Sequence, residues 1–141
     1  MIKIRNGNMS DIGRIYDHLS IQSILDIKMM FGQITLSDIQ NAAQKSDGFF
    51  IADDGKYPYA MIMLTSAEDG SKNAAIWTTG IFNSAKDECT KAMEEFFSKM
   101  KGETIRSKIF NCNRQGIRLY AMCGFAPIKE TQKYKVLEYG Y

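Results

Sequence analysis

The segment that decides the fold is residues 113–125, which read Asn-Arg-Gln-Gly-Ile-Arg-Leu-Tyr-Ala-Met-Cys-Gly-Phe. Asn113 belongs to a residue type that caps helix N-termini. Gly124 belongs to the type that most often ends helices. The sequence therefore predicts a short helix over Asn113–Cys123, followed at once by a strand that begins at Phe125.

Working outward from this helix, the hydrophobic pattern changes between the helical period and the strand period. An amphipathic helix is predicted over Ala85–Met100 and a strand over Thr104–Phe110, and two closing strands follow at Phe125–Lys129 and Tyr134–Tyr139. Upstream, the predicted elements are a strand at Ile2–Arg5, a helix capped by Ser10, a helix over Ile21–Met30, a helix from Thr35 to Lys45, and strands over Gly48–Ala52, Tyr57–Thr65 and Asn73–Phe82.

The order of these elements defines a fold class. Residues 73–110 are predicted to form a strand, a helix and a second strand, and this order places the two strands parallel to each other. The other strands of the sheet are predicted to pair as antiparallel hairpins. We therefore expect an α/β protein of the α+β type, with a mixed, mostly antiparallel sheet of six or seven strands flanked by helices. The chain of 141 residues is expected to form a single domain over residues 1–141.

Composition excludes several classes of protein. The chain is 45% hydrophobic and 24% charged, which is ordinary for a soluble globular protein. Its longest apolar run, Tyr59–Leu64, is far too short to span a membrane, and its first residues lack a signal-peptide core. We expect a cytoplasmic protein without a membrane partner.

The cysteines and the single histidine argue against a metal site. Cys89, Cys112 and Cys123 are widely spaced and odd in number, so neither a zinc site nor a disulfide framework is predicted. His18 is expected to be a surface residue rather than a base, and Cys89 a core residue. No cysteine has an evident base beside it that would make it a nucleophile.

Charge is distributed unevenly along the chain. Residues 101–141 carry eight Lys and Arg against three Asp and Glu, whereas the rest of the chain is acidic. Such a basic region attracts an anionic ligand, either a phosphate-bearing cofactor or nucleic acid, or it is simply a solvated surface. Nucleic acid is the weaker interpretation, because alternation along strands scatters these charges over two faces.

The element order and the segment at 113–125 resemble those of the GCN5-related N-acetyltransferases, the GNAT superfamily. The opening residues, Ile2–Arg5 followed by Met9–Ile12, also look like that family's first strand and helix start. The resemblance implies transfer of an acetyl or other acyl group from acyl-CoA, as co-substrate, to a small-molecule or protein amine, frequently by a homodimer. The residues that match the family's fourth-helix signature in spacing are Asn113, Ile117, Leu119, Tyr120, Gly124 and Phe125.

The resemblance also implies roles for individual residues. Tyr120 would be the general acid that protonates the departing CoA thiolate, and Asn113 would contact the pantetheine arm. The residues alone also allow Asn113 to be only an N-cap and Tyr120 only a core aromatic. The full set of expected cofactor-binding residues is Thr78, Thr79, Gly80, Ile81, Ser84, Ala85, Lys86 and Asn113.

The sequence departs from the family's pattern at the pyrophosphate loop. The corresponding stretch, Gly80–Glu88, lacks the glycine-rich pattern whose backbone N–H groups hold phosphates. Ser84 and Asp87 are predicted instead to form a self-contained helix cap, and Asp87 and Glu88 are expected to repel a pyrophosphate. Lys86, together with Arg114 or Arg118, would compensate.

These departures support a second hypothesis. No carboxylate base is evident on the strand predicted over residues 74–82. The chain would then be a catalytically degenerate GNAT-like protein that binds a macromolecular partner. In its shortness and its Met, Lys and Asn content it is similar to small GNAT-like proteins carried by phages.

Overall fold

The order of helices and strands in a computed structural model follows the sequence prediction along most of the chain. The structure describes residues 1–33, 35–100 and 102–140. The elements are β1 (Lys3–Asn6), α1 (Met9–Asp17), α2 (Ile21–Phe31), α3 (Leu36–Lys45), β2 (Gly48–Asp53), β3 (Pro58–Ser66), β4 (Lys72–Thr78), α4 (Lys86–Ser98), β5 (Ile105–Phe110), α5 (Arg114–Met122), β6 (Phe125–Glu130) and β7 (Tyr134–Tyr139).

The strands form one mixed sheet in the order β1-β2-β3-β4-β5-β7-β6. All neighbours are antiparallel except β4 and β5, which confirms the predicted parallel pair. That pair is short, because only Lys72 with Ile105 and Asn73 with Arg106 are in register. Beyond these residues β4 remains paired only with β3, and β5 remains paired only with β7. A gap therefore opens between the C-terminal halves of β4 and β5.

Helices cover both faces of the sheet. On one face α4 and α5 pack over a core that includes Ile76 and Phe97. On the other face α1 and α3 pack over a core that includes Ile12, Ile39 and Trp77. Ile76 and Trp77 are consecutive residues of β4, and they reach opposite cores because side chains alternate along a strand.

The N-cap of α1 differs from the prediction. Asn8, rather than Ser10, is the cap, and its side chain accepts a hydrogen bond from the Asp11 N–H at 3.2 Å. The Asp11 carboxylate accepts in return from the Asn8 N–H at 2.8 Å, which completes a capping box. Ser10 donates its hydroxyl to Asn8 instead, so two residues of capping type lie within one turn and the first takes the position.

The end of β4 also differs from the prediction. The strand ends at Thr78 rather than at Phe82, and a 3-10 turn occupies Phe82–Ala85. Thr79 forms an isolated bridge with Leu19, and the Gly80 N–H donates to the His18 carbonyl at 2.8 Å. The chain leaves the sheet here because the connection between α1 and α2 pairs with its backbone.

No helix of residues 1–33, 35–100 and 102–140 is long and apolar enough to cross a membrane.

We predict that Asp11→Asn lowers the free energy of unfolding at pH 7 by about 1–3 kcal/mol, because the buried Asp11 carboxylate accepts two hydrogen bonds from Arg5 at 2.8 Å each. Those bonds hold the pKa of Asp11 below its ordinary value. The stabilisation is therefore present above the ordinary carboxyl pKa and is lost as pH falls through the lower, folded-state pKa.

Urea unfolding of both proteins between pH 7 and pH 2.5 checks this prediction. Asp17→Asn is the matched control, since Asp17 ends the same helix with an exposed side chain. A difference between wild type and Asp11→Asn that persists unchanged at the acid end of the range would contradict it.

Candidate functional site

Tyr120 occupies the gap between β4 and β5. Its side chain is 2% exposed, and its Oη accepts a hydrogen bond from the Ile76 N–H at 2.9 Å. The hydroxyl proton has a long contact, 3.4 Å, to the Ala74 carbonyl. Burial raises the pKa of Tyr120 well above its usual value, so the phenol stays protonated near neutral pH. The gap therefore contains a buried, protonated hydroxyl that contacts Ile76, Ala74 and Ser107.

The outer end of the gap is closed by the start of α2. The Thr78 N–H donates to Ser23 Oγ at 2.8 Å, and the Ser20 N–H donates to the Thr78 carbonyl at 2.9 Å. The side chains of Ser20 and Gln22 also contact Thr78 Oγ1, at 2.7 and 3.2 Å. The last residue of β4 is thereby joined to α2 through both its backbone and its side chain.

A second contact joins α2 to α5. The Asn113 side chain accepts from the Gly116 N–H at 2.9 Å, as an N-cap does, and its Nδ2 donates to Asp26 Oδ1 at 3.1 Å. Gly116 makes this arrangement possible, because a Cβ there would lie 2.6 Å from Asn113 Nδ2. The capping role predicted for Asn113 is confirmed.

These contacts separate two cavities. The first, which we call the strand-end cavity, has a volume of about 650 Å³ and lies between the end of β4, the start of α2 and the start of α5. The second, the sheet-face cavity, has a volume of about 620 Å³ and lies between α2, α3, β4 and β5, with Tyr120 in its lining. Asn113 lines the first cavity and its partner Asp26 lines the second.

No protein-family model and no curated protein sequence matches this chain. Its fold, by contrast, matches solved structures along nearly its full length. PaiA N-acetyltransferase from Thermoplasma acidophilum, in complex with coenzyme A, is 15% identical over 100% of this chain and 99% of its own, with a TM-score of 0.69. AAC(6')-Ib in complex with ribostamycin and coenzyme A is 18% identical over 97% and 91%, with a TM-score of 0.71. A chimera of the spermidine N-acetyltransferase SpeG from Vibrio cholerae and hSSAT is 14% identical over 98% and 94%, with a TM-score of 0.67.

The chain has the GNAT fold. The expected fold class, a mixed and mostly antiparallel sheet of six or seven strands flanked by helices, is thereby confirmed, and the sheet has seven strands. Identities of 14–18% are too low to carry an acceptor, a catalytic residue or an assembly from these structures to this chain.

On the GNAT fold, the structure brings five of the nine residues predicted for catalysis or cofactor binding to the strand-end cavity or its margin. Thr78, Thr79, Gly80 and Asn113 line this cavity. Lys86 lines an adjoining cavity of about 280 Å³ that shares Gln22, Phe82, Asn83 and Gln115 with it. Tyr120 lies on the sheet-face side, while Ile81, Ser84 and Ala85 line neither the strand-end cavity nor the adjoining one.

The cap predicted at the start of α4 does not form. The Ser84 hydroxyl donates to the Ile81 carbonyl at 2.6 Å within the 3-10 turn, and no side chain caps the helix at Ala85. The 3-10 turn places Ser84 before the first helical residue, out of reach of the N–H groups of the first turn. The first N–H groups of α4 therefore have no side-chain acceptor at Ala85, although Asp87 and Glu88 lie in the first turn.

Charges around the two adjoining cavities favour an anion. Lys86, Arg114 and Arg118 line them, and no acidic side chain of the described residues does. Glu88 turns away toward β1, where its carboxylate accepts from the Ile2 N–H at 2.6 Å. Neither Asp87 nor Glu88 lines the two cavities, and the expectation that these two residues repel a pyrophosphate stays a prediction.

Asp26 is the residue that sequence reasoning missed. It is 9% exposed, its Oδ1 accepts from Asn113, and burial raises its pKa above the ordinary carboxyl value. The available signal was the helical spacing of Ser23, Asp26 and Ile27, which are the buried residues of α2. A serine and a carboxylate on a buried stripe indicate that this face meets polar groups rather than an apolar core.

We predict that Ser23→Ala lowers the free energy of unfolding by about 1–3 kcal/mol, because it leaves the buried Thr78 N–H without its acceptor. Urea unfolding measures the loss, and hydrogen exchange of the Thr78 amide should accelerate. Ser37→Ala, at an exposed position of α3, is the matched control and should change neither quantity. Unchanged protection of the Thr78 amide in Ser23→Ala would contradict the assignment.

Proposed function

We propose that the chain is an acyl-CoA-dependent N-acyltransferase that moves an acetyl or other acyl group to a primary amine, with Tyr120 as the general acid. One observation carries the proposal. The gap between β4 and β5 contains a protonated phenol, and the two cavities of substrate size flank this gap. The GNAT fold, whose solved examples include complexes with coenzyme A, supports the same reaction class.

The residues present suit an acyl-CoA in the strand-end cavity. Lys86, Arg114 and Arg118 supply three positive charges for its phosphates, and the uncapped start of α4 adds backbone donors. Thr78, Thr79 and Gly80 lie where a pantetheine arm would follow the end of β4. When bound, the acyl-CoA supplies the thioester carbonyl that the amine attacks.

Tyr120 has the properties that the departing sulfur requires. Its Oη accepts a hydrogen bond from the Ile76 N–H, which holds the ring, and the hydroxyl also interacts with Ser107, while the Ala74 carbonyl lies at 3.4 Å. A thiolate placed in the gap would be a better acceptor for the hydroxyl proton than this distant carbonyl. The raised pKa keeps the phenol in its proton-bearing form until the thiolate develops.

The proposal requires α2 to move. The bond from Thr78 to Ser23 and the bond from Asn113 to Asp26 lie between the strand-end cavity and Tyr120. A pantetheine arm would replace the first bond with its own amide groups, as an added partner for the edge of β4. The acceptor would then reach the same gap from the sheet-face cavity as a small-molecule amine.

We predict micromolar binding of acetyl-CoA in a calorimetric titration, and a loss of turnover of about 10²–10⁴-fold in Tyr120→Phe without a comparable loss of binding. Turnover is followed by release of free CoA thiol over a panel of primary amines. Tyr57→Phe, which removes an exposed phenol, is the matched control. No detectable binding at millimolar acetyl-CoA would overturn the proposed function.

We predict that the double variant Lys86→Gln, Arg118→Gln binds acetyl-CoA roughly tenfold more weakly, about 1.4 kcal/mol, because two exposed cations no longer face the phosphates. The difference from wild type should shrink as salt is raised, since exposed charges are screened. Lys91→Gln, on the same helix but outside the cavities, is the control. Equal affinities in both variants would contradict the phosphate assignment.

One observation favours a second candidate, a GNAT-fold protein that binds a macromolecule without catalysis. Helix α2 exposes Ile21 by 81%, Leu25 by 52% and Met30 by 52%, which is unusual for three apolar residues of one helix, although they lie on different sides of it and border the two cavities. In this case the bonds from α2 to Thr78 and Asn113 would be a permanent closure. Absence of acetyl-CoA binding together with a sedimentation coefficient above that of a monomer would favour this candidate.

A further inference from the structure

The sheet-face cavity is lined by the buried carboxylate of Asp26, which we call its base, and by more exposed charged side chains, which we call its rim: Lys45, Asp69, Arg106 and Lys108. Asp26 is 9% exposed, and within residues 1–33, 35–100 and 102–140 no Lys or Arg lies within ion-pair distance of it. Lys45 and Lys108 line the same cavity with exposed side chains. A buried carboxylate without a counter-ion is costly, so it favours a cationic ligand at that position.

The positive groups of the rim are not neutralised equally. Arg106 is paired with Asp69 and Glu138, each at 3.1 Å. Lys108 lies over the Tyr134 ring at 4.0 Å, an interaction that leaves its charge unpaired, and Lys45 has no carboxylate within ion-pair distance in the described part of the chain. The rim is therefore able to bind an anionic group.

Apolar side chains form much of the remaining lining of the cavity. Neither Lys45 nor Lys108 lies within ion-pair distance of the Asp26 carboxylate, and both lysines are exposed whereas Asp26 is buried. A ligand that meets both charges must therefore be several bonds long. The larger apolar side chains of the lining are Met30, Phe31, Met63, Trp77 and Val136.

We propose that the sheet-face cavity is the acceptor site and that it takes a primary amine joined by an apolar chain to an anionic group, of the ω-amino acid type. The amine lies at Asp26 and the anionic group lies at Lys45 and Lys108. The inference rests on the proposed function for its chemistry, and it names the acceptor class. A linear diamine fits less well, because its second ammonium would meet Lys45 and Lys108, whereas the rim's carboxylate, Asp69, is already paired with Arg106.

The assignment gives Asp26 a defined step. Its carboxylate first accepts one proton from the bound ammonium and passes it to solvent, which frees the nitrogen lone pair. It accepts a second proton as the neutral amine nitrogen bonds to the thioester carbonyl carbon; the carbon–sulfur bond breaks, and the sulfur takes the Tyr120 proton. The second proton held by Asp26 then restores that of Tyr120 through solvent, so that one ammonium and one thioester give one amide, one thiol and one proton released to solvent.

A ligand series tests the charge pattern without requiring turnover. Trp77 is the only tryptophan of the chain and lines the cavity, so its fluorescence reports binding there. The probes are 6-aminohexanoate, hexylamine, hexanoate and 1,6-diaminohexane. We expect 6-aminohexanoate to bind at least tenfold more tightly than the other three. Equal or tighter binding of hexylamine or the diamine, or no binding of 6-aminohexanoate, would overturn the inference.

Variants at each end of the cavity separate the two contacts. In Asp26→Asn, 6-aminohexanoate should bind no more tightly than hexanoate does to wild type. In Lys45→Gln, Lys108→Gln, it should bind no more tightly than hexylamine does. If Asp26→Asn fails to fold, the double variant at Lys45 and Lys108, whose side chains are exposed, still tests the site. Lys133→Gln, an exposed residue outside the cavity, is the matched control.

Turnover distinguishes failure of this inference from failure of the proposed function. If acetyl-CoA binds and hexylamine is acylated as efficiently as 6-aminohexanoate, the acceptor class is wrong while N-acyl transfer stands. If acetyl-CoA does not bind but the fluorescence series keeps its expected order, the ligand site stands and the reaction does not. A loss of kcat/KM in Asp26→Asn with acetyl-CoA affinity retained supports the role of Asp26.

Discussion

The structure depends on how the free edge of β4 is satisfied after β5 departs. Residues two apart on a strand direct their backbone groups to the same edge. The N–H groups of Ile76 and Thr78, together with the carbonyl of Thr78, therefore face the gap, where no ladder partner remains. Tyr120 Oη, Ser23 Oγ and the Ser20 N–H take the place of the missing strand. Buried backbone groups require such partners, so the gap can exist only with these side chains in it.

Because of this requirement, the groups that stabilise the edge of β4 are the same groups that would take part in the proposed chemistry. The hydroxyl of Tyr120 satisfies the Ile76 N–H, and the same bond holds the phenol where the two cavities approach each other. The bonds from α2 satisfy Thr78 and Asn113, and the same bonds close the route between the cavities. A ligand that enters the gap can exchange these bonds for its own at little net cost, because a hydrogen bond replaced by an equivalent one changes the free energy only slightly.

The parts of the fold that were predictable from sequence are those determined within one element. The cap at Asn113, the end of α5 at Gly124 and the buried stripe of α4 follow from local patterns and are confirmed. The end of β4 was not predictable, because Thr79 and Gly80 leave the sheet through pairing with Leu19 and His18, far away in sequence. Asp26 was missed for a similar reason, since only the approach of α5 shows what its helix face meets.

The charges around the site likewise could not be predicted from the spacing of residues in the sequence. Spacing alone places Glu88 in the first turn of α4, where it would oppose a phosphate, yet the Ile2 N–H holds its carboxylate toward β1. Lys86 and Arg118 come from different helices and line one cavity only because α4 and α5 pack on the same face. The sign of the potential at a cavity is thus a property of packing. A chain that departs from a family's phosphate-loop sequence can therefore still bind an anion, through other groups.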